Sequence, residues 1–335
     1  MRSSRAFRAA VMGVPLVFSL AGFSREYSSA ETYPTAQITN GTVTVQFYLP
    51  DAEKGFYRAT RFDWSGVVRS LRYKGHNYFG QWYAHHDPLI HDAITGPVNV
   101  FDNSGPNSSY ASASVGEPFL RIGVGFLDKP DEARFGENHT YKIVDGGRWT
   151  VRQGPDWIEF THAVSRDGKE GYVYRKTIKL APDRPEMFIS HSLRNTGARD
   201  IEATVFNHGF FQLDEEPAGP NLVWHFPFAP ITADDFKGAA KIEGQQITYL
   251  REIKDGERVL ASLRGFGNSP KDNQFYLENK KSGAAVKVAV DRPIAKLTFW
   301  SRRMAYSPEA SVHLSISPGA TEAWQIHYEF YTTNR

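Results

Sequence analysis

From Glu31 onward the apolar residues recur with a period of two in many short runs, and no amphipathic helix longer than a turn or two stands between them. This rhythm constrains the fold more than any other feature, because successive side chains of a strand point to opposite faces. Ala36-Gln37-Ile38 and Val43-Thr44-Val45-Gln46-Phe47 alternate on either side of Asn40-Gly41. Asn-Gly tolerates the positive backbone angles of a tight hairpin turn, so this segment predicts a β-hairpin. The pattern returns at Trp149–Val151 and Trp157–Phe160 around the turn residues 153–156, and at Tyr172–Leu180 and Phe188–Leu193. It continues at Phe275–Leu277, Ala285–Val290, Lys296–Trp300, Val312–Ile316 and Trp324–Phe330. Only Thr232–Ala240 reads as a short helix. Many short strands with no strand–helix–strand alternation predict an all-β fold, a large antiparallel β-sandwich. No shift in composition marks a linker, so residues 31–335 read as a single domain.

Composition narrows the function classes. The chain has no cysteine, which removes disulfides, thiolate metal sites and cysteine nucleophiles together. Its 39 basic and 37 acidic side chains leave a net charge of +2, without the basic stripe that nucleic acid would need. Arg2, Arg5 and Arg8 precede an apolar run from Ala9 to Phe23, and small residues follow at Ser28-Ser29-Ala30. That order predicts an export signal over residues 1–30. The run is shorter than the ~20 residues of a membrane span, so the mature protein is expected outside the cytoplasm and free of the membrane.

The segment between Tyr78 and Gly105 alternates poorly and is rich in aromatic, His and Asp residues, as a binding loop would be. Its His85, His86 and His91 have no recognised metal-ligand spacing, and neighbouring residues of an extended chain face opposite ways. The densest motif is Asn207-His208-Gly209-Phe210-Phe211-Gln212-Leu213, which follows the alternating run Ile201–Phe206. Upstream stands His191-Ser192-Leu193-Arg194-Asn195-Thr196-Gly197. Downstream come Asp272–Leu277, Ser282-Gly283, Val286–Val288, then Glu309, Pro318-Gly319 and the closing run Trp324–Phe330.

In this order the motifs resemble those of the aldose 1-epimerases, the galactose mutarotase-like proteins, over the half of the chain beyond Lys176. Two further motifs, Phe56–Gly66 and Gly116–Gly125, look like marks of an exported bacterial branch of that superfamily. The resemblance implies a sandwich that interconverts sugar anomers without metal or cofactor, acting on a monosaccharide or the end of a sugar chain. It implies His208 as general acid and Glu309 as general base, with Arg61, His91 and Asp272 binding the sugar. The residue types suit the task. Opening a sugar ring needs a proton delivered to the ring oxygen and another taken from the anomeric hydroxyl, and histidine and carboxylate titrate in the useful range. Outside that context, His208 would read as a structural histidine, Glu309 as a solvated turn carboxylate after Pro308, and Arg61 as half of a surface ion pair. Two other functions fit the same fold: a non-catalytic carbohydrate-binding protein, and a polysaccharide-processing enzyme. The latter, if a hydrolase, would need two carboxylates at one cleft.

Overall fold

The strands follow the alternation, and a computed structural model describes them over residues 33–102 and 104–333. The expected export signal lies outside the described residues. β1 (Thr35–Thr39) and β2 (Val43–Tyr48) form the hairpin expected at Asn40-Gly41. Asn40 Oδ1 accepts the amides of Thr42 and Val43, and Gly41 takes φ +83°, which a side chain would strain. β3 (Val67–Tyr73) and β4 (His76–Asn77) complete a four-stranded sheet. β5 (Val98–Asp102) leaves it to join another sheet. After the short helix α1 (Ser109–Ser112), β6 (Pro118–Arg121), β7 (Gly125–Asp128) and β8 (Ile143–Asp145) form a small sheet of their own.

Two larger sheets carry the sandwich. β9 (Arg148–Gln153), β10 (Trp157–Arg166), β11 (Glu170–Leu180) and β12 (Glu186–Asn195) run up and down as neighbours. β13 (Ile201–His208) then crosses to the opposite sheet and pairs with β5. β14 (Leu222–His225), β15 (Ala240–Glu243) and β16 (Gln246–Tyr249) return to the first sheet, and β17 (Val259–Leu263) crosses again. β18 (Gln274–Asn279) and β19 (Ala284–Val290) belong to the first sheet, β20 (Lys296–Ser301) and β21 (Tyr306–Ile316) to the second, and β22 (Thr321–Thr332) closes the first. The result is a ten-stranded sheet facing a five-stranded sheet ordered β17-β20-β21-β13-β5, with every pairing antiparallel.

Alternation decides what each face meets. Phe299 packs inward on Trp224, while its neighbour Trp300 packs on the other face, against Phe210 and Trp82. The five-stranded sheet is therefore apolar on both faces, and chain from Phe56–Trp64 and Trp82–Ile94 packs into the second apolar cluster. The helix expected at Thr232–Ala240 is not formed. Polar side chains there take the backbone donors instead: Thr232 accepts from Asp234, and Asp235 from Lys237. Lys237 and Gly238, both at positive φ, then turn the chain into β15.

Candidate active site

His208 ends β13, and its position follows from strand register. β13 pairs with β21 as far as Phe206 opposite Ser311, and the same register resumes at the bridge of Phe211 with Tyr306. Between these points His208 falls opposite Glu309, and Nε2 and Oε1 lie 3.0 Å apart. Pro308 does not break the strand, because the ladder toward β13 is interrupted there and the missing N–H has no partner to serve. Glu309 is thus a strand residue and not the turn carboxylate its flanking proline suggests. The His208 side chain is 2% exposed and that of Glu309 12%. Among the described residues, His208 Nδ1 has no hydrogen-bond partner.

The motif that carries His208 also encloses it. Phe210 takes φ +43°, a left-handed conformation that a bulky residue adopts only when its surroundings enforce it. The turn folds the Phe210 ring back over the imidazole, at 3.6 Å between centroids and 8° between planes. Trp82 stacks on the far side of Phe210, Trp300 stands edge-on to His208 at 4.7 Å, and Phe62 lies 5.9 Å away.

Arg61 and His91 meet at Asp92. Arg61 Nη1 lies 2.5 Å from Asp92 Oδ1, and His91 Nε2 lies 3.2 Å from Oδ2. Tyr57 donates its hydroxyl to the His91 carbonyl and holds the loop down. Burial pushes the Asp92 carboxyl up, but the His91 hydrogen bond and the charges of Arg61, His91 and His208 outweigh it and hold the pKa at about 2. Phe62 stands between the Asp92 cluster and His208, its ring 5.9 Å from the imidazole. The Arg61 guanidinium lies 5.0 Å above the same ring.

Behind this cluster lies a buried ion pair. Asp63 and Lys176 are 2.6 Å apart, with side chains 0% and 2% exposed. Ser65 donates its amide and hydroxyl to Asp63, and Lys176 donates to the Ser65 carbonyl. Arg121 donates to the Arg61 carbonyl, and Asp63 donates its amide to Asn99. These contacts pin the backbone on both sides of Phe62. The hydroxyl of Tyr174 reaches both Asp63 and His191 Nδ1, and burial holds the His191 imidazole neutral. Asp92 and Lys176 are the site residues that motif reasoning misses. Lys176 had a signal, since it falls at the inward parity of β11 with Tyr172, Tyr174 and Ile178.

Of the five residues expected at the site, the structure groups Arg61, His91, His208 and Glu309. Asp272 stands apart. Its carboxylate accepts the Gly267 amide at 2.6 Å, and it lines a narrow cleft that includes Phe226, Phe275 and Ala310. Ala310 packs on the main core, so strand alternation turns its neighbour Glu309 to the opposite face. His86 stacks on Phe56 at 4.0 Å and meets the Tyr33 hydroxyl, while His85 is exposed. No group of three or more His, Asp or Glu able to hold a metal ion occurs among the described residues.

No protein-family model matches the chain, and no curated protein matches it in sequence. Solved structures do. A galactose mutarotase-like protein from Lactobacillus casei superposes with a TM-score of 0.54 at 13% identity, over 89% of this chain and 100% of its own. An aldose epimerase homologue from C. elegans gives 0.53 at 12%, over 90% and 100%. The Slr1438 protein of Synechocystis gives 0.54 at 10%, over 90% and 97%. At such identities the likeness is one of architecture, and the architecture here is the galactose mutarotase-like fold.

Proposed function

We propose that the protein interconverts sugar anomers in the manner of an aldose 1-epimerase, with His208 as acid and Glu309 as base. The observation that supports this reading best is their 3.0 Å contact across adjacent strands. The ring oxygen and the anomeric hydroxyl of a sugar are both bonded to C1. An acid for one and a base for the other must therefore converge on nearly one point, as this pair does. In the forward step His208 protonates the ring oxygen while Glu309 takes the hydroxyl proton, and the C1–ring-oxygen bond breaks to give the open-chain aldehyde. After rotation about C1–C2, closure on the other face of the carbonyl returns both protons. Arg61, His91 and Asp92 form the more accessible part of the cluster and supply donors and acceptors for sugar hydroxyls.

The second reading, a sugar-binding protein without catalysis, draws on Phe210. Its ring covers one face of His208, and Glu309 already occupies Nε2. Polarimetry on freshly dissolved α-anomers separates the two. The enzyme reading expects acceleration on at least one aldose, reduced roughly 10²–10⁴-fold in His208→Ala and comparably in Glu309→Gln, with sugar binding much less affected. A wild type that binds sugars yet accelerates none establishes the second reading. An active His208→Ala refutes the assignment of the acid.

A further inference from the structure

β13 joins two different regions. His208 ends it, while Ile201 begins it and lines a small cavity of about 30 Å³. At ~3.3 Å per strand residue the two ends lie roughly 23 Å apart. The small cavity shares Ser109, Glu170 and Arg199 with a polar groove of about 250 Å³. We propose that this groove binds a neutral stretch of a glycan chain, at a site separate from the His208–Glu309 pair. The inference does not depend on the anomer chemistry.

The groove is a built feature. One wall is α1 and the start of β6, the other the β10–β11 turn and the β12–β13 turn. The two turns are fastened to each other: Thr196 donates to the Gly171 carbonyl and Ala198 to the Lys169 carbonyl. Both glycines are needed for that approach. A Cβ on Gly171 would lie 2.9 Å from the Thr196 hydroxyl, and one on Gly197 2.7 Å from the Lys169 oxygen. Asn195 completes the clamp, accepting from the Gly197 amide and donating to the Arg199 carbonyl. The Asn195-Thr196-Gly197 motif thus shapes this groove, a role the His208 site leaves unused.

The chemistry of the walls selects the ligand. Arg166, Lys169 and Arg199 line the groove with Glu117, Asp167 and Glu170, so its formal charge is zero. Among the described residues, Lys169 and Arg199 have no carboxylate within 4.0 Å, Glu117 and Glu170 have no cation, and Arg166 meets only Asp167 at 3.7 Å. Donors and acceptors of full charge stand side by side without neutralising one another. A polyanion would gain from the cations and be opposed by the acids. A neutral polyol uses both, its hydroxyls donating to Glu117 and Glu170 and accepting from Lys169 and Arg199.

The test is calorimetric titration of the protein with neutral hexasaccharides (malto-, cello-, xylo- and manno-series) and with oligogalacturonate as the acidic comparator. The expected result is binding of at least one neutral series, retained in His208→Ala and weakened at least about tenfold in Glu170→Ala/Arg199→Ala. Arg199 is exposed and Glu170 half-buried, so a thermal melt matching wild type verifies that the double variant is folded. No neutral binding in wild type overturns the proposal. So does neutral binding lost in His208→Ala but kept in the groove variant, which would place the sugar at the other site. Binding of oligogalacturonate alone, abolished by salt, would make the groove an anion site and equally refute it.

Discussion

Replacing Lys176 with methionine tests whether the buried pair with Asp63 holds the fold at the point where the site segment is pinned. Methionine matches the lysine stem in length and removes only the charge and its hydrogen bonds. The Asp63 carboxylate, fully buried and 2.6 Å from the ammonium, then keeps its charge without a counterion. Breaking a buried pair in this way typically costs about 3–5 kcal/mol. The Ser65 amide and hydroxyl and the Tyr174 hydroxyl still reach the carboxylate, which points to the lower part of that range. At about 2.1 cal/mol/K of unfolding entropy per residue, the loss corresponds to a fall in Tm of roughly 5–8 °C. Guanidinium unfolding followed by tryptophan fluorescence measures it directly. The double variant Lys176→Met/Asp63→Asn removes both charges while leaving the asparagine oxygen to accept from Ser65, so it should recover more than half of the loss. If Lys176→Met stays within about 1 kcal/mol of wild type, or the double variant is no more stable than the single, the pair does not carry the role assigned to it.

Asp92, held at about 2, lies below its unfolded value, so the stability it contributes is complete above pH ~4 and disappears as pH falls from 4 to 2. Unfolding free energies across that range should lose about 2 kcal/mol of pH dependence in Asp92→Asn. His162 behaves in the same sense from a different cause. Burial, partly offset by the hydrogen bond to the Gly146 carbonyl, holds it at about 4, so wild type should lose about 3 kcal/mol between pH 6.5 and 4, and His162→Gln should abolish that slope. Gly123→Ala and Gly41→Ala separate backbone strain from crowding, because both glycines have φ near +80°. A Cβ on Gly123 would lie 2.7 Å from Asp63 Cβ whereas Gly41 faces open space, so thermal melts should show the former more destabilised by about 1–3 kcal/mol.

The amino-acid sequence by itself determined the strands, because a two-residue period follows directly from the geometry of an extended chain. It determined the Asn40-Gly41 hairpin, where one residue supplies the turn acceptor and the next the positive φ. It also singled out His208, since a dense polar–aromatic motif stands out in a one-dimensional string, whereas Glu309 was reached only through the family resemblance. Tertiary structure decided whatever depends on which strands lie side by side. The contact of His208 with Glu309 exists only because β13 and β21 pair in one register, and a shift of a single residue would turn one of the two to the other face. The same alternation set Asp272 with Ala310 on one face and Glu309 on the other. Thr232–Ala240 turned into loop because side-chain oxygens there capture the amides a helix would need. Asp92 and Lys176 went unassigned because the role of a charge, even one at an inward strand position as Lys176 is, depends on a partner the string does not show. Those partners, Arg61 and Asp63, lie 31 and 113 residues away along the chain, a separation that only folding closes.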